Sequence, residues 1–376
     1  MTTDKAVHQA ATKADQPAGA VARWVTQLRE TLYQRKHGTH EERRAQMLET
    51  IAGLAGGQAL LAKAESLGTP VYVRHPRAMK GNHGYALPPE ADKPPEVYVA
   101  NNGHTPGMAL TGLHELRHVS QFADPCYKEH NDTKAVARAR AVFITRIMAE
   151  ADACTVETLA AVKQQAAGDN SFMEDLQKRT TPVYRCIRQF LHENPYEGFK
   201  SDAAFCRSLF TELMISGLDH YRYDFLHQQS IAFQAGQTLE AFNEITAGKT
   251  ASATAAPVDD FLGRTYGAGF TTATSMRALQ TAFFAALPPR EQEVLTQMEK
   301  TAVRAAKGKL TQEQFAAARG EILAKVKDIY FTEDEDAALY KWMVKDSAVH
   351  KTLRDAARED KPVPLKAVLR AAGAPT

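Results

Sequence analysis

Hydrophobic and polar positions along this chain change their period twice. After a stretch of small and polar residues, Val21, Trp24, Val25, Leu28 and Leu32 recur at helical spacing and predict an amphipathic helix to about Lys36. A second helix is predicted from Thr39, where Thr39 and Glu42 make a capping-box pair, with an interruption at Gly56 and Gly57 before Ala59 to Leu67 resume. Between Gly68 and Asn102 the β-favouring runs Val71 to Val73, Tyr85 to Leu87 and Val97 to Val99 alternate with glycine and proline clusters, which predicts the strands of the chain. Helical spacing then returns from Thr105. It continues over Asp132 to about Ala167, Pro182 to His192, Asp202 to Gln234, Ser275 to Leu287, Pro289 to Ala306, Thr311 to Lys327 and Thr332 to Glu359. Thr311 with Gln314 and Thr332 with Glu335 repeat the capping-box pattern. The low-complexity stretch Thr246 to Val258 predicts a linker or exposed loop. The fold class expected is α+β, predominantly helical, with a small sheet early in the chain.

Composition narrows the partners. The 46 basic and 44 acidic residues nearly cancel and form no long block of one sign, so nothing predicts binding to nucleic acid or to an anionic membrane. No apolar run approaches the roughly 20 residues that cross a bilayer. Cys126, Cys154, Cys186 and Cys206 are far apart and form no CxxC pair, which argues against a zinc ribbon or a disulfide framework. The segment Met1 to Gly19 has no apolar core of a secretory signal and is expected to be a disordered tail. A cytoplasmic location is therefore expected, with leaderless export as an effector the alternative.

The chemistry concentrates in His114, Glu115, Leu116, Arg117 and His118, an HExxH sequence. Two histidines four apart share one helix face, so both imidazoles can reach a single ion at about 2.0 to 2.1 Å. Glu115 stands beside that face, where it can take a proton from water activated by the metal. The helix this requires is predicted with Thr105 as N-cap, Pro106 at its first position and Pro125 at its end; Leu113, Leu116, Val119 and Phe122 form its apolar stripe. Gly112, one turn before Leu116, leaves room for a close neighbour. A catalytic zinc takes three protein ligands and one open position. Phe143, Ile147, Glu150, Cys154 and Glu157 share one face of a later helix, and a carboxylate among apolar neighbours favours a cation partner. Glu150 is the expected third ligand, with Glu157 one further turn away as the alternative.

HELRH followed by a helix with Glu150, Ala151, Asp152 and Ala153 resembles the gluzincin-type zinc peptidases. It is similar in particular to minimal bacterial metallopeptidase domains and to the ImmA/IrrE-like peptidases, over about Val71 to Ala167. The resemblance implies a zincin-like core holding one zinc ion, with His114, His118 and Glu150 as ligands and Glu115 as general base. It also implies Asp152 as a carboxylate orienting a histidine from behind, and Glu96 to Ala100 as an edge strand that pairs with an extended substrate. A tyrosine or histidine that stabilises the oxyanion is expected from the face shared by His220, Tyr223, Asp224 and His227, with Tyr223 or His220 in that role. The function expected is zinc-dependent hydrolysis of a protein or peptide, by a peptidase unit spanning 20–245 with a helical region, 259–376, after the linker. The alternatives are a helical interaction protein with a vestigial or structural metal site, and a di-iron carboxylate protein combining Glu115, His118, Glu150, Asp224 and His227.

Overall fold

The three strand-forming runs assemble into one sheet. In the computed structural model of the chain, which describes residues 30–90, 92–124, 127, 136–217, 219–246, 266, 276–331, 348–359 and 365–371, the strands are β1 (Val71–Arg74), β2 (Gly84–Leu87) and β3 (Glu96–Ala100). Their order is β1-β3-β2. β1 runs parallel to β3 with Val71 opposite Val97, and β2 runs antiparallel to it with Tyr85 opposite Tyr98. Val71, Val73, Val97 and Val99 are buried, while Tyr72, Tyr98 and Tyr85 stack across the opposite face at centroid spacings of 5.0 and 4.8 Å. This is the period of two that places alternate side chains on opposite faces.

β3 was expected at an edge and is instead the central strand, paired on both sides. Its inward valines are essentially inaccessible to solvent, whereas every residue of β2 keeps partial exposure. The strand with the most apolar inner face takes the middle, and β2 forms an edge.

Against the buried face of the sheet runs α3 (Thr105–Phe122), following α1 (His40–Gly53) and α2 (Gly57–Ser66). The Thr39–Glu42 capping box is present on α1, and the break before α2 falls where the glycines predict it. The N-cap of α3 is His104, one residue before the expected Thr105, because the His104 imidazole accepts the Gly107 N–H at 3.2 Å. α3 is buried almost all round from Gly107 to Val119. A Cβ added at Gly112 would lie 2.9 Å from Ile51 Cδ1 and 3.2 Å from Met47 Sδ, so that glycine lets α1 cross closely.

The long α4 (Ala139–Ala166) packs along α3. It begins after the expected Asp132, with residues 128–135 outside those described. α5 (Ser171–Lys178), absent from the sequence expectation, is a short helix burying Phe172, Met173 and Leu176. α6 (Pro182–Glu193) follows. The expected continuous helix from Asp202 to Gln234 is two helices, α7 (Asp202–Glu212) and α8 (Asp219–Ala235), separated by a π turn over Leu213–Gly217. Gly217 in that turn is a poor helix former.

Beyond α9 (Leu239–Thr246) come α10 (Met276–Ala285), α11 (Pro289–Ala306), α12 (Gln312–Phe331), α13 (Ala348–Arg358) and α14 (Leu365–Ala371). α8, α10 and α11 pack on α4, and α13 packs on α7. The Thr311–Gln314 box is formed by reciprocal hydrogen bonds. The expected tail, most of the linker, and the Thr332–Glu335 box lie outside the described residues. Among the described residues no helix is long and apolar enough to cross a membrane.

Candidate metal centre

Helical spacing along α3 brings His114 and His118 onto one face, and their Nε2 atoms approach to 3.1 Å. From α4, Glu150 reaches the same point, with Oε2 3.6 Å from His114 Nε2 and Oε1 3.5 Å from His118 Nε2. Donors about 2.0 to 2.1 Å from one tetrahedral zinc ion would sit about 3.4 Å from each other. The two imidazole nitrogens, 3.1 Å apart, each have one oxygen of the Glu150 carboxylate within 3.6 Å, a spacing across which one such ion can be held. The donor set of two imidazoles and one carboxylate is also the chemistry that suits such an ion.

What lies behind each imidazole decides which nitrogen is offered. Gln121 uses both amide hydrogens, donating to Ala149 O at 2.9 Å and to Asp152 Oδ2 at 2.8 Å. Its carbonyl is thereby turned to accept from His118 Nδ1, at 2.8 Å. With the proton fixed on Nδ1, His118 presents a lone pair on Nε2. His114 turns its Nδ1, buried and without a hydrogen bond, toward Glu157 Oε1 at 3.8 Å and toward Cys154. Glu157 is thus on the far side of the ring from Glu150. It is fully buried and accepts from Tyr184 OH at 2.6 Å and Arg179 Nη1 at 3.1 Å. Burial works against ionisation of Glu157, but the Arg179 guanidinium and the neighbouring donors outweigh it and hold the carboxyl below its ordinary range.

Asp152 touches neither histidine. It is wholly buried and accepts from Arg117 Nε at 2.7 Å, with Nη2 of the same guanidinium in ion-pair contact at 2.6 Å, besides Gln121. Its hydrogen-bonded link to His118 runs through that glutamine, and its charge adds a direct pull toward the protonated imidazole. Arg117, inside the HELRH run, is fully buried by this pairing.

Glu115 is nearly buried beside the histidines, against β2. A Cβ on Gly84 would lie 2.6 Å from Thr111 Cγ2 and 2.9 Å from Glu115 Oε1, so only glycine lets the strand approach. The Ala100 N–H donates to His83 O at 2.8 Å, which makes His83–Ala100 a hydrogen-bonded pair. The alternation of antiparallel pairs then turns the amides of Gly84 and Ala86 away from β3. The Ala86 N–H meets the Glu115 carboxyl there. Burial pushes the Glu115 pKa up to about 8, opposed by His114 and reinforced by Glu150 and Glu157.

Burial opposes charging of His114, yet Cys154, Glu150 and Glu157 together raise its pKa well above the usual imidazole range. His118 is lowered, chiefly by burial.

The helix expected to supply an oxyanion donor is α8, but the side chains of His220, Tyr223 and Asp224 lie outside the described residues. His227, on the same expected face, is exposed and joins no described group of metal donors, so the second histidine of a di-iron centre is not at hand. Tyr221, on the same helix, packs against the core within electrostatic reach of Glu150, Cys154 and His114. The charge of Glu150, followed by burial, raises its phenol well above the ordinary value. Its ring stands 6.0 Å from that of Phe225, one turn further along α8.

A family model described as "Putative metallopeptidase family (DUF6782)" matches residues 16–203, half of the chain. The match contains His114, Glu115, His118, Glu150 and Glu157 and ends before Tyr221. The chain matches no curated protein and no solved structure.

Proposed function

The chain belongs to the family described as "Putative metallopeptidase family (DUF6782)", and from that premise we propose that it is a gluzincin-type zinc peptidase with a zincin-like core, whose ligands are His114, His118 and Glu150. The observation that carries this reading is the convergence of two Nε2 atoms, 3.1 Å apart, on the Glu150 carboxylate, whose oxygens lie 3.6 Å from His114 and 3.5 Å from His118, with Glu115 beside them. Glu150 retains 14% side-chain exposure, so the donors meet solvent on that side. When bound, zinc supplies Lewis acidity that acidifies water and polarises the scissile carbonyl. Glu115 accepts the proton of the attacking water and returns it to the leaving amine. Tyr221 remains a neutral phenol at any working pH and donates a hydrogen bond to the oxygen on which negative charge develops. The substrate is an extended peptide lying along the edge of β2, which displaces the role first expected of β3; the outward N–H of Gly84 and carbonyl of Ala86 recognise its backbone, while the Ala86 N–H stays with Glu115.

Glu115→Gln tests the assignment and separates it from a structural or vestigial metal site. Turnover of a quenched-fluorescent peptide library is expected to fall by about 10²- to 10⁴-fold with zinc content unchanged. Unchanged turnover in a zinc-loaded variant would exclude the general base, and a wild-type chain that takes up no zinc would exclude the centre.

A further inference from the structure

We infer that Tyr266, which lies beyond the family-matched residues, is a positioning residue for the metal centre, holding His118 through Asp152 and Gln121. The inference rests on the assignment of His118 as a ligand and extends it to a part of the chain that the HExxH pattern does not reach.

The relay consists of buried polar groups whose donors and acceptors can be counted. Gln121 keeps His118 in the right tautomer only while its own amide nitrogen is committed elsewhere, and one of its two acceptors is Asp152 Oδ2 at 2.8 Å. Asp152 must therefore be held in one rotamer. Its Oδ2 takes Arg117, Gln121 and, at 3.2 Å, Tyr127 OH. Among the described residues, the donor to the other oxygen, Oδ1, is Tyr266 OH at 2.7 Å. A buried carboxylate with one oxygen unsatisfied carries a full desolvation penalty and turns to recover a donor. Any such turn withdraws Oδ2 from Gln121, leaves Ala149 O as the acceptor for its amide nitrogen, and weakens the constraint that puts the proton on His118 Nδ1.

Tyr266 sits in a socket of its own. It is 1% exposed. Its ring meets Phe210 of α7 at 5.2 Å and 62°. Its carbonyl accepts from Arg207 Nη1 at 2.6 Å, while Nε of the same guanidinium donates to Ala357 O of α13 at 3.0 Å. One arginine thus ties the backbone of Tyr266 to α13, and the phenol donates to Asp152 Oδ1, the oxygen that Gln121 does not use. Such groups behind a zinc-bound histidine commonly change metal affinity by about 10- to 100-fold when removed.

The test measures the zinc dissociation constant by chelator competition and the visible absorption of the cobalt(II)-loaded full-length chain. It compares wild type, His118→Ala, Tyr266→Phe, and Tyr196→Phe, which removes a phenol–carboxylate bond to Asp202 elsewhere in the molecule. Tyr266→Phe is expected to weaken zinc binding at least 10-fold and to shift the cobalt bands, with Tyr196→Phe changing neither. In a Gln121→Met background, Tyr266→Phe is expected to cause no further loss, because the relay is already cut. Wild-type affinity and bands in Tyr266→Phe, while His118→Ala loses the metal, would overturn the inference and leave the metal centre standing. Additive losses in the double variant would also overturn it, since they indicate general loosening of the fold. A wild-type chain without zinc affinity, or His118→Ala with full affinity, removes the centre and the inference together.

Discussion

Without a metal ion, Glu115 is a carboxyl enclosed by β2, His114 and two further acids, and burial pushes its pKa up to about 8. An unfolded glutamate releases its proton near 4.3. Across the window from about 4.3 to about 8 the native metal-free chain therefore binds more protons than the unfolded one, and stability falls as pH rises through it. Glutamine keeps the shape and cannot ionise. The melting temperature of metal-free Glu115→Gln is expected to gain steadily on metal-free wild type between pH 4.5 and pH 8; a difference that stays constant with pH would exclude this cause. At this scale the sequence reveals what spacing reveals. The i, i+4 pair of histidines and the adjacent glutamate are visible as positions on one helix. The separation of Glu150 from Glu157, one on the Nε2 side of His114 and the other behind its Nδ1, depends on the crossing of α3 and α4. Gln121, Tyr221 and Tyr266 are recognisable only through the partners that the fold brings to them.

The elements that carry the site are set by local signals, and their arrangement is set by packing. The strands and most helices follow from the change of period, the glycine break before α2, and the capping boxes at Thr39 and Thr311. The order of the strands does not follow, because a run of five residues carries no mark of which neighbours will pair with it; burial of Val97 and Val99 on both sides of a ladder decided that β3 is central. α5 escaped notice because eight residues offer barely two turns of periodicity. Gly84 shows how an element boundary becomes functional. Alanine there would drive a methyl group to within 2.9 Å of Glu115 Oε1 and 2.6 Å of Thr111. Either β2 retreats from α3 or Glu115 turns, and a displacement of about 1 Å costs on the order of 10²-fold in rate. Gly84→Ala is thus expected to lower kcat by roughly that factor with zinc content retained, and a variant of wild-type kcat would show that the strand does not set the position of the base.

At the scale of the whole molecule the question is whether the family-matched residues 16–203 make a self-sufficient unit. They contain the three proposed ligands and the base, and the sequence, which offers a linker at Thr246 to Val258, suggests a unit closed before it. Packing adds contacts to α4 from helices on both sides of that linker. α4 carries Glu150 on one side and on others receives α8, α10 and α11, with Gln280 of α10 donating to the buried Thr145 at 2.6 Å. Ending the chain at 203 would bare that apolar surface of α4, remove Tyr221 from beside Glu150, and leave Asp152 Oδ1 without the Tyr266 hydroxyl. Buried apolar surface is the main favourable term in folding, and a buried carboxylate that loses a donor is costly. A chain ending at residue 203 is therefore expected to be aggregation-prone and to bind zinc at least 10-fold more weakly than the full chain, measured by light scattering and chelator competition. A monomeric fragment with full zinc affinity would place everything that holds the metal within the matched half and reduce the later helices to an appendage.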